Sequence, residues 1–160
     1  MPFYSTTGKL GVNYSDRQTT AQERLGTTDL GTGNSRWVYV QADGAIAAHD
    51  YVCIDEDFQA RAGTKTNVDA GHAIGIATAA FADNEYGWIC QAGTSYEGLK
   101  VNVLASCAAD IALYTSATAG SLDDDASGTT RVEGIVLDTA AGGAPAACDC
   151  ILSRNMADTV

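Results

Sequence analysis

From Arg36 onward the chain is written in short apolar runs separated by Gly, Asp, Ala and Thr turns, and no stretch sustains a helical period. Arg36-Trp37-Val38-Tyr39-Val40-Gln41, Tyr51-Val52-Cys53-Ile54-Asp55, Ala73–Thr78, Tyr86–Gln91 and Leu99–Leu104 each read as a strand, followed by Ile111–Thr115, Arg131–Asp138 and Ala147–Ser153. β-branched and aromatic residues at this spacing, bounded by turn residues, predict an all-β fold, a small β-barrel or β-sandwich. Asp43-Gly44 predicts a hairpin turn after the first strand, the polar loop 60–70 separates two strands, and Phe81–Asn84 reads as a turn.

Composition narrows the class. At 46% hydrophobic the chain can bury a core, and only 18% of its residues are charged, against roughly 25% in an average soluble domain. A coiled coil is excluded, because Leu, Glu and Lys are too few to write heptads. The formal net charge is -11, which argues against nucleic acid and against an anionic membrane surface as partners. No run approaches the ~20 apolar residues of a membrane span, and Met1–Ser5 lacks the basic and apolar regions of a signal peptide.

The charge is unevenly spread. Residues 1–36 carry four basic and three acidic side chains, a net of +1, whereas residues 37–160 carry five and seventeen, a net of -12. The sequence therefore divides into an N-terminal arm, 1–35, and a β-rich body, 36–160. The arm, with a short helical turn over Asp16–Leu25 as one option, is either a tail without fixed structure or an extended segment that orders on a partner. Its apolar residues Phe3, Tyr4, Leu10, Val12, Tyr14 and Leu25 are the expected anchors.

The body repeats itself. Ala48-His49-Asp50 precedes one apolar strand and Ala108-Ala109-Asp110 another; a Gly-Ile pair follows each, at Gly75-Ile76 and Gly134-Ile135, and then Thr-Ala-Ala, at Thr78–Ala80 and Thr139–Ala141. The echo fits either duplication of one unit or two similar hairpins.

Residues that could carry chemistry are sparse. His49 and Asp50 are adjacent and on a strand point to opposite faces, and His72 sits at a turn. Cys53, Cys90, Cys107, Cys148 and Cys150 lie in or beside apolar runs, which predicts small buried residues rather than ligands; Cys148 and Cys150 share a strand face. Asp123, Asp125, Ser127 and Gly128 fall at positions 1, 3, 5 and 6 of a calcium loop, but position 12 is Gly134 and flanking helices are missing, so a solvated loop is preferred. No catalytic residue, cofactor or metal is expected. Trp37, Tyr39, Tyr86 and Trp88 form two same-face pairs, suited to core packing, to a subunit interface or to a stacking surface for a glycan or receptor.

The run Trp37-Val38-Tyr39-Val40-Gln41-Ala42-x-Gly44-Ala45-Ile46-Ala47, with Asp50-Tyr51-Val52 after it, resembles the opening of tailed-bacteriophage capsid decoration (cement) proteins. Gly75-Ile76-Ala77, Tyr86-Gly87-Trp88-Ile89-x-Gln91-Ala92-Gly93, Leu113-Tyr114-Thr115-Ser116-Ala117-x-Ala119-Gly120-x-Leu122 and Gly134-Ile135-Val136-Leu137 fit the same pattern. The resemblance covers about residues 36–153 and its motifs are structural. It implies a non-enzymatic virion protein on the outer capsid surface, with the major capsid protein as partner and a homotrimer in preference to a homodimer. A carbohydrate- or receptor-binding β-module is the alternative.

Overall fold

The computed structural model describes residues 13–127 and 129–153. The strands are β1 (Arg17–Gln18), β2 (Thr28–Leu30), β3 (Arg36–Ala42), β4 (Tyr51–Ile54), β5 (Gln59–Ala62), β6 (Ala73–Ile76), β7 (Tyr86–Ala92), β8 (Lys100–Val103), β9 (Leu113–Thr115), β10 (Leu122–Asp123), β11 (Arg131–Val132), β12 (Ile135–Leu137) and β13 (Ala146–Leu152). One short helix, α1 (Lys65–Asp69), lies between β5 and β6. The all-β expectation holds in the form of two barrels. The first is a closed five-strand barrel, and the second, of six strands, is nearly closed. Among the described residues no helix is long and apolar enough to cross a membrane.

The two barrels share one pairing scheme. In the first, β3 pairs β7 antiparallel and β5 parallel, β4 pairs both β5 and β6 antiparallel, and β6 pairs β7 antiparallel. In the second, β8 pairs β13 antiparallel and β10 parallel, β9 pairs both β10 and β11 antiparallel, and β12 pairs β13 antiparallel. Strand for strand, β8, β9, β10, β11–β12 and β13 repeat β3 to β7, with the strand that matches β6 interrupted at Gly134. Turns repeat as well. The His49 amide donates to Ala77 O at 2.7 Å and the Asp110 amide to Leu137 O at 3.1 Å, and both residues have positive φ, 70° and 58°. Asp55 Oδ1 accepts the amide two residues on, as Ser116 Oγ does in the second barrel.

Three expectations change. Asp43-Gly44 does not close a hairpin: β3 pairs β7, β5 and β2 rather than β4, and the chain after Gly44 instead forms an antiparallel bridge between Ile46 and Phe81. Local turn chemistry yields here to the sequence-distant pairing with β7. The polar stretch 60–70 holds the end of β5 and α1, whose N-cap Thr64 accepts the Asn67 amide. No helix forms over Asp16–Leu25; β1 lies there instead.

The boundary at residue 35 also moves. β1 pairs β7 and β2 pairs β3, so residues 13–35 belong to the body. Tyr14 is 1% exposed and stacks on Trp37 at 4.2 Å between ring centroids, with Trp88 edge-on at 5.8 Å. Its hydroxyl donates to Asp29 Oδ2 at 2.8 Å. Arg17 clamps the same segment: its guanidinium donates to the carbonyls of Tyr14, Ala79 and Ala80 and lies 3.8 Å over the Phe81 ring. Burial pulls its pKa down to about 10, so it remains a cation at neutral pH.

Both faces of β3 are apolar and buried. Val38, Val40 and Ala42 join a core cluster drawn wholly from the first barrel. Trp37 and Tyr39 join a second cluster shared with Tyr14 and with Val101, Leu113, Leu137 and Cys150 of the second barrel. The barrels meet at a seam where Tyr51 N donates to Gly120 O and Gly120 N to Gly63 O. Gly120 has φ +78°, and a Cβ there would lie 2.2 Å from the Asp50 carboxyl carbon.

Truncating Tyr14 empties a fully buried site, so Tyr14→Ala is expected to cost about 3–5 kcal/mol in urea unfolding. Gly120→Ala is expected to lose at least about 2 kcal/mol, because it adds left-handed strain to the collision with Asp50. A loss below about 0.5 kcal/mol in either would remove the corresponding packing account.

Candidate functional site

The two histidines and the acidic loop were the residues most suited to chemistry, and the structure sends each elsewhere. Asp50 is 6% exposed. Its Oδ2 accepts the Ala47 amide and its Oδ1 the Asn102 side-chain amide, each at 2.9 Å. No hydrogen bond joins it to His49, whose Nδ1 is enclosed without a partner. His72 Nδ1 is likewise enclosed and unpaired, and its amide donates to Asn67 O at the end of α1.

The acidic loop caps backbone. Asp123 Oδ1 accepts the Asp124 amide, Asp124 Oδ2 the Ala108 amide, and Asp125 Oδ1 the Ser127 amide; Gly128 lies outside the described residues. The fold brings Cys107 into this group, with ligand atoms of Cys107, Asp123 and Asp124 within 4.8 Å of one another. Burial, with the two carboxylates adding to it, pushes the Cys107 thiol up to about 11, so at neutral pH it is a protonated thiol beside hard oxygen donors. One sulfur with two carboxylates that already accept backbone amides is neither the all-oxygen shell of calcium nor a sulfur-rich set. Sequence carried no signal for this grouping, because Cys107 arrives from a separate turn after β8.

A second polar cluster also escaped the sequence reading. Lys65 Nζ donates to Thr130 Oγ1 at 2.7 Å and to Asp69 Oδ2 at 2.8 Å, and Thr130 Oγ1 donates to Asp69 Oδ1 at 2.5 Å. The Lys65 and Asp69 side chains are about half exposed, so this is a solvated clasp between α1 and the second barrel. The two hydrogen bonds to Asp69 hold its carboxyl below the usual range.

The aromatic residues expected at an interface are mostly core. Trp37, Tyr39 and Trp88 are 0–3% exposed. Tyr39 meets Trp88 edge-on at 5.3 Å, and its hydroxyl donates to Gln18 Oε1 at 2.6 Å. Tyr86 is half-buried, its ring parallel to Tyr39 at 6.5 Å. The subunit-interface assignment is therefore corrected for Trp37, Tyr39 and Trp88: residues 13–35 and the second barrel already cover them. Tyr14, expected as a partner anchor, is part of the same core, and Leu25 packs against it half-buried. Phe3, Tyr4, Leu10 and Val12 lie outside the described residues.

What the surface offers is an acidic body with separate apolar points. Leu30 (46% exposed), Tyr96 (74%), Phe58 and Ile111 are the large hydrophobic side chains open to solvent among the described residues. Tyr96 projects from the 95–97 turn, which packs against both β13 and the 32–34 turn. An open groove of about 450 Å³ runs between the barrels, lined by Ala73, Ile74, Gln91, Glu133, Gly134, Leu152 and Ser153. Neither Tyr96 nor the groove stood out in the sequence, since both depend on how the second barrel docks.

Burial raises the thiol pKa of Cys53 and Cys107 to about 11 and of Cys90 to about 12, and raises those of Cys148 and Cys150 as well. All five thiols are buried and free. Native protein at pH 8 is therefore expected to react with a disulfide reagent only as it unfolds, all five thiols becoming available together in denaturant. Rapid labelling of any thiol in the native protein would contradict this burial. Neither a protein-family model nor a curated protein matches the chain.

Proposed function

We propose that the protein is a structural virion protein that binds the outer surface of a phage capsid and stabilises the shell by bridging capsomers. One observation carries the reading: the residues behind the resemblance to capsid decoration proteins lie on the strands that build both barrels. Trp37–Ala42 is β3, Tyr51-Val52 opens β4, Gly75-Ile76 ends β6, Tyr86–Ala92 is β7, Leu113–Thr115 is β9 and Ile135–Leu137 is β12. The motifs therefore span both barrels and are not confined to one hairpin.

Physical features support it further. An acidic outer surface keeps a protein made in many copies soluble. Tyr96 and Leu30 supply the kind of exposed aromatic and apolar anchor that interfaces use. The partners in this reading are the major capsid protein and further copies of the chain, as a homotrimer. The glycan-binding alternative has less to stand on, because three of its four aromatic rings are buried.

The docking arm in this proposal shortens to residues 1–12, since residues 13–35 are built into the body. Purified protein is expected to co-sediment saturably with expanded empty shells and to raise the temperature at which they fall apart. Deleting residues 1–12 is expected to leave the unfolding curve of the body in place and to abolish co-sedimentation. Tyr96→Ala in the full chain is expected to weaken binding by about thirtyfold, the size of an interface hot spot. A full-length protein that ignores expanded shells overturns the function, and a truncated one that binds equally well overturns the arm.

A further inference from the structure

We propose that His49 is a pH-sensitive latch between the two barrels, releasing the 47–50 loop from β8 when its imidazole takes up a second proton. The backbone of His49 spans the seam. Its amide donates to Ala77 O of the first barrel, and its carbonyl accepts the Asn102 amide of the second at 2.8 Å. On either side, the Asn102 side chain donates to Ala48 O and to Asp50 Oδ1, both at 2.9 Å. The loop is thus fastened to β8 by three hydrogen bonds that converge on Asn102.

The imidazole at this junction is poorly placed for positive charge. Its Nδ1 is enclosed with no partner, so a second proton there would be a buried donor without an acceptor. The charged groups around it come from three elements. Lys100 of β8 opposes a second cation, Asp50 on its own loop favours one, and Asp149 of β13 pairs with Lys100 at 2.5 Å. Asp50 has already committed both oxygens to Ala47 and Asn102. Burial first, and Lys100 second, hold the His49 pKa below its ordinary value, with Asp50 only partly offsetting them.

The duplicated position strengthens the assignment. Asp110, which the sequence echo aligns with Asp50, takes the backbone place of His49 in the second barrel, with positive φ and the same amide bond across the strand, but it is exposed. The turn therefore does not require histidine; the seam is where the histidine stands.

The sign follows from linkage. The open loop binds a proton with the ordinary histidine pKa of about 6.5, and the closed loop binds it more weakly. Closure is fully favoured above about pH 6.5 and is lost as pH falls below that value, by at most about tenfold per pH unit for one proton. The latch is independent of the shell-binding proposal.

The test is amide exchange on the full-length protein between pH 7.5 and 5.5, read as protection factors so that the intrinsic pH dependence of exchange drops out. The Asn102 and His49 amides are expected to lose protection as pH falls, while core amides of β3 and β7 hold theirs. His49→Asn, a residue that tolerates positive φ, is expected to abolish that pH dependence, and His72→Gln to leave it intact. An NMR titration of the wild-type His49 ring keeps the proposal testable if the variant fails to fold, with a midpoint below 6.5 expected. A midpoint at or above 6.5, or a His49→Asn protein with the same pH-dependent loss at Asn102, overturns it.

Discussion

Asp50 sits where the first barrel receives the second, and its carboxylate is the group around which that junction is built. A carboxylate with 6% exposure is tolerated only if its oxygens are taken up by donors. Here the donors are the Ala47 amide, which tightens the turn into β4, and the Asn102 side chain, which comes from β8. Its own carbonyl accepts the Ala77 amide, and Gly120 of the second barrel lies against it with no room for a side chain. One buried charge thus couples a turn, a strand end and a barrel–barrel contact. Removing any partner would leave the charge buried and unsatisfied, a more costly outcome than losing a surface hydrogen bond.

The duplication explains how so short a chain buries so much. Each unit uses the same five-strand scheme, but the two cores are not alike. The first barrel buries alternate residues of β3 into two different clusters, one its own and one shared. Trp37, Tyr39 and Trp88 therefore need a cover, and residues 13–35 together with the second barrel provide it. On β8 the corresponding alternation is apolar on one side, Val101 and Val103, and polar on the other, Lys100 and Asn102. That polar side is free to pair with Asp149 and to fasten the 47–50 loop.

Residues that look reactive in the sequence are absorbed into this architecture. Asp123, Asp124 and Asp125 cap turn amides, Asp55 caps the β4–β5 turn, and the cysteines fill small spaces in the shared core. The open surface carries carboxylates, some basic and neutral polar side chains, and a few apolar points, Tyr96 foremost. Such a surface is suited to contact with another macromolecule, the role in which the protein is proposed to act.

The all-β class, most strand positions and the internal echo were legible in the sequence because they rest on local properties: β-branched and aromatic runs, turn residues and a repeated order of both. The burial of the five cysteines was legible for the same reason, since each stood within apolar neighbours. Tertiary structure alone decided that Asp43-Gly44 would not close a hairpin, that residues 13–35 are built into the body rather than an arm, and that Trp37, Tyr39 and Trp88 face inward. It alone brought Cys107 to Asp123, Thr130 to Lys65, and Asn102 to Asp50. These contacts join residues from 16 to 65 positions apart. An apolar run such as β3, buried on both faces, carries no alternation from which its partners can be read.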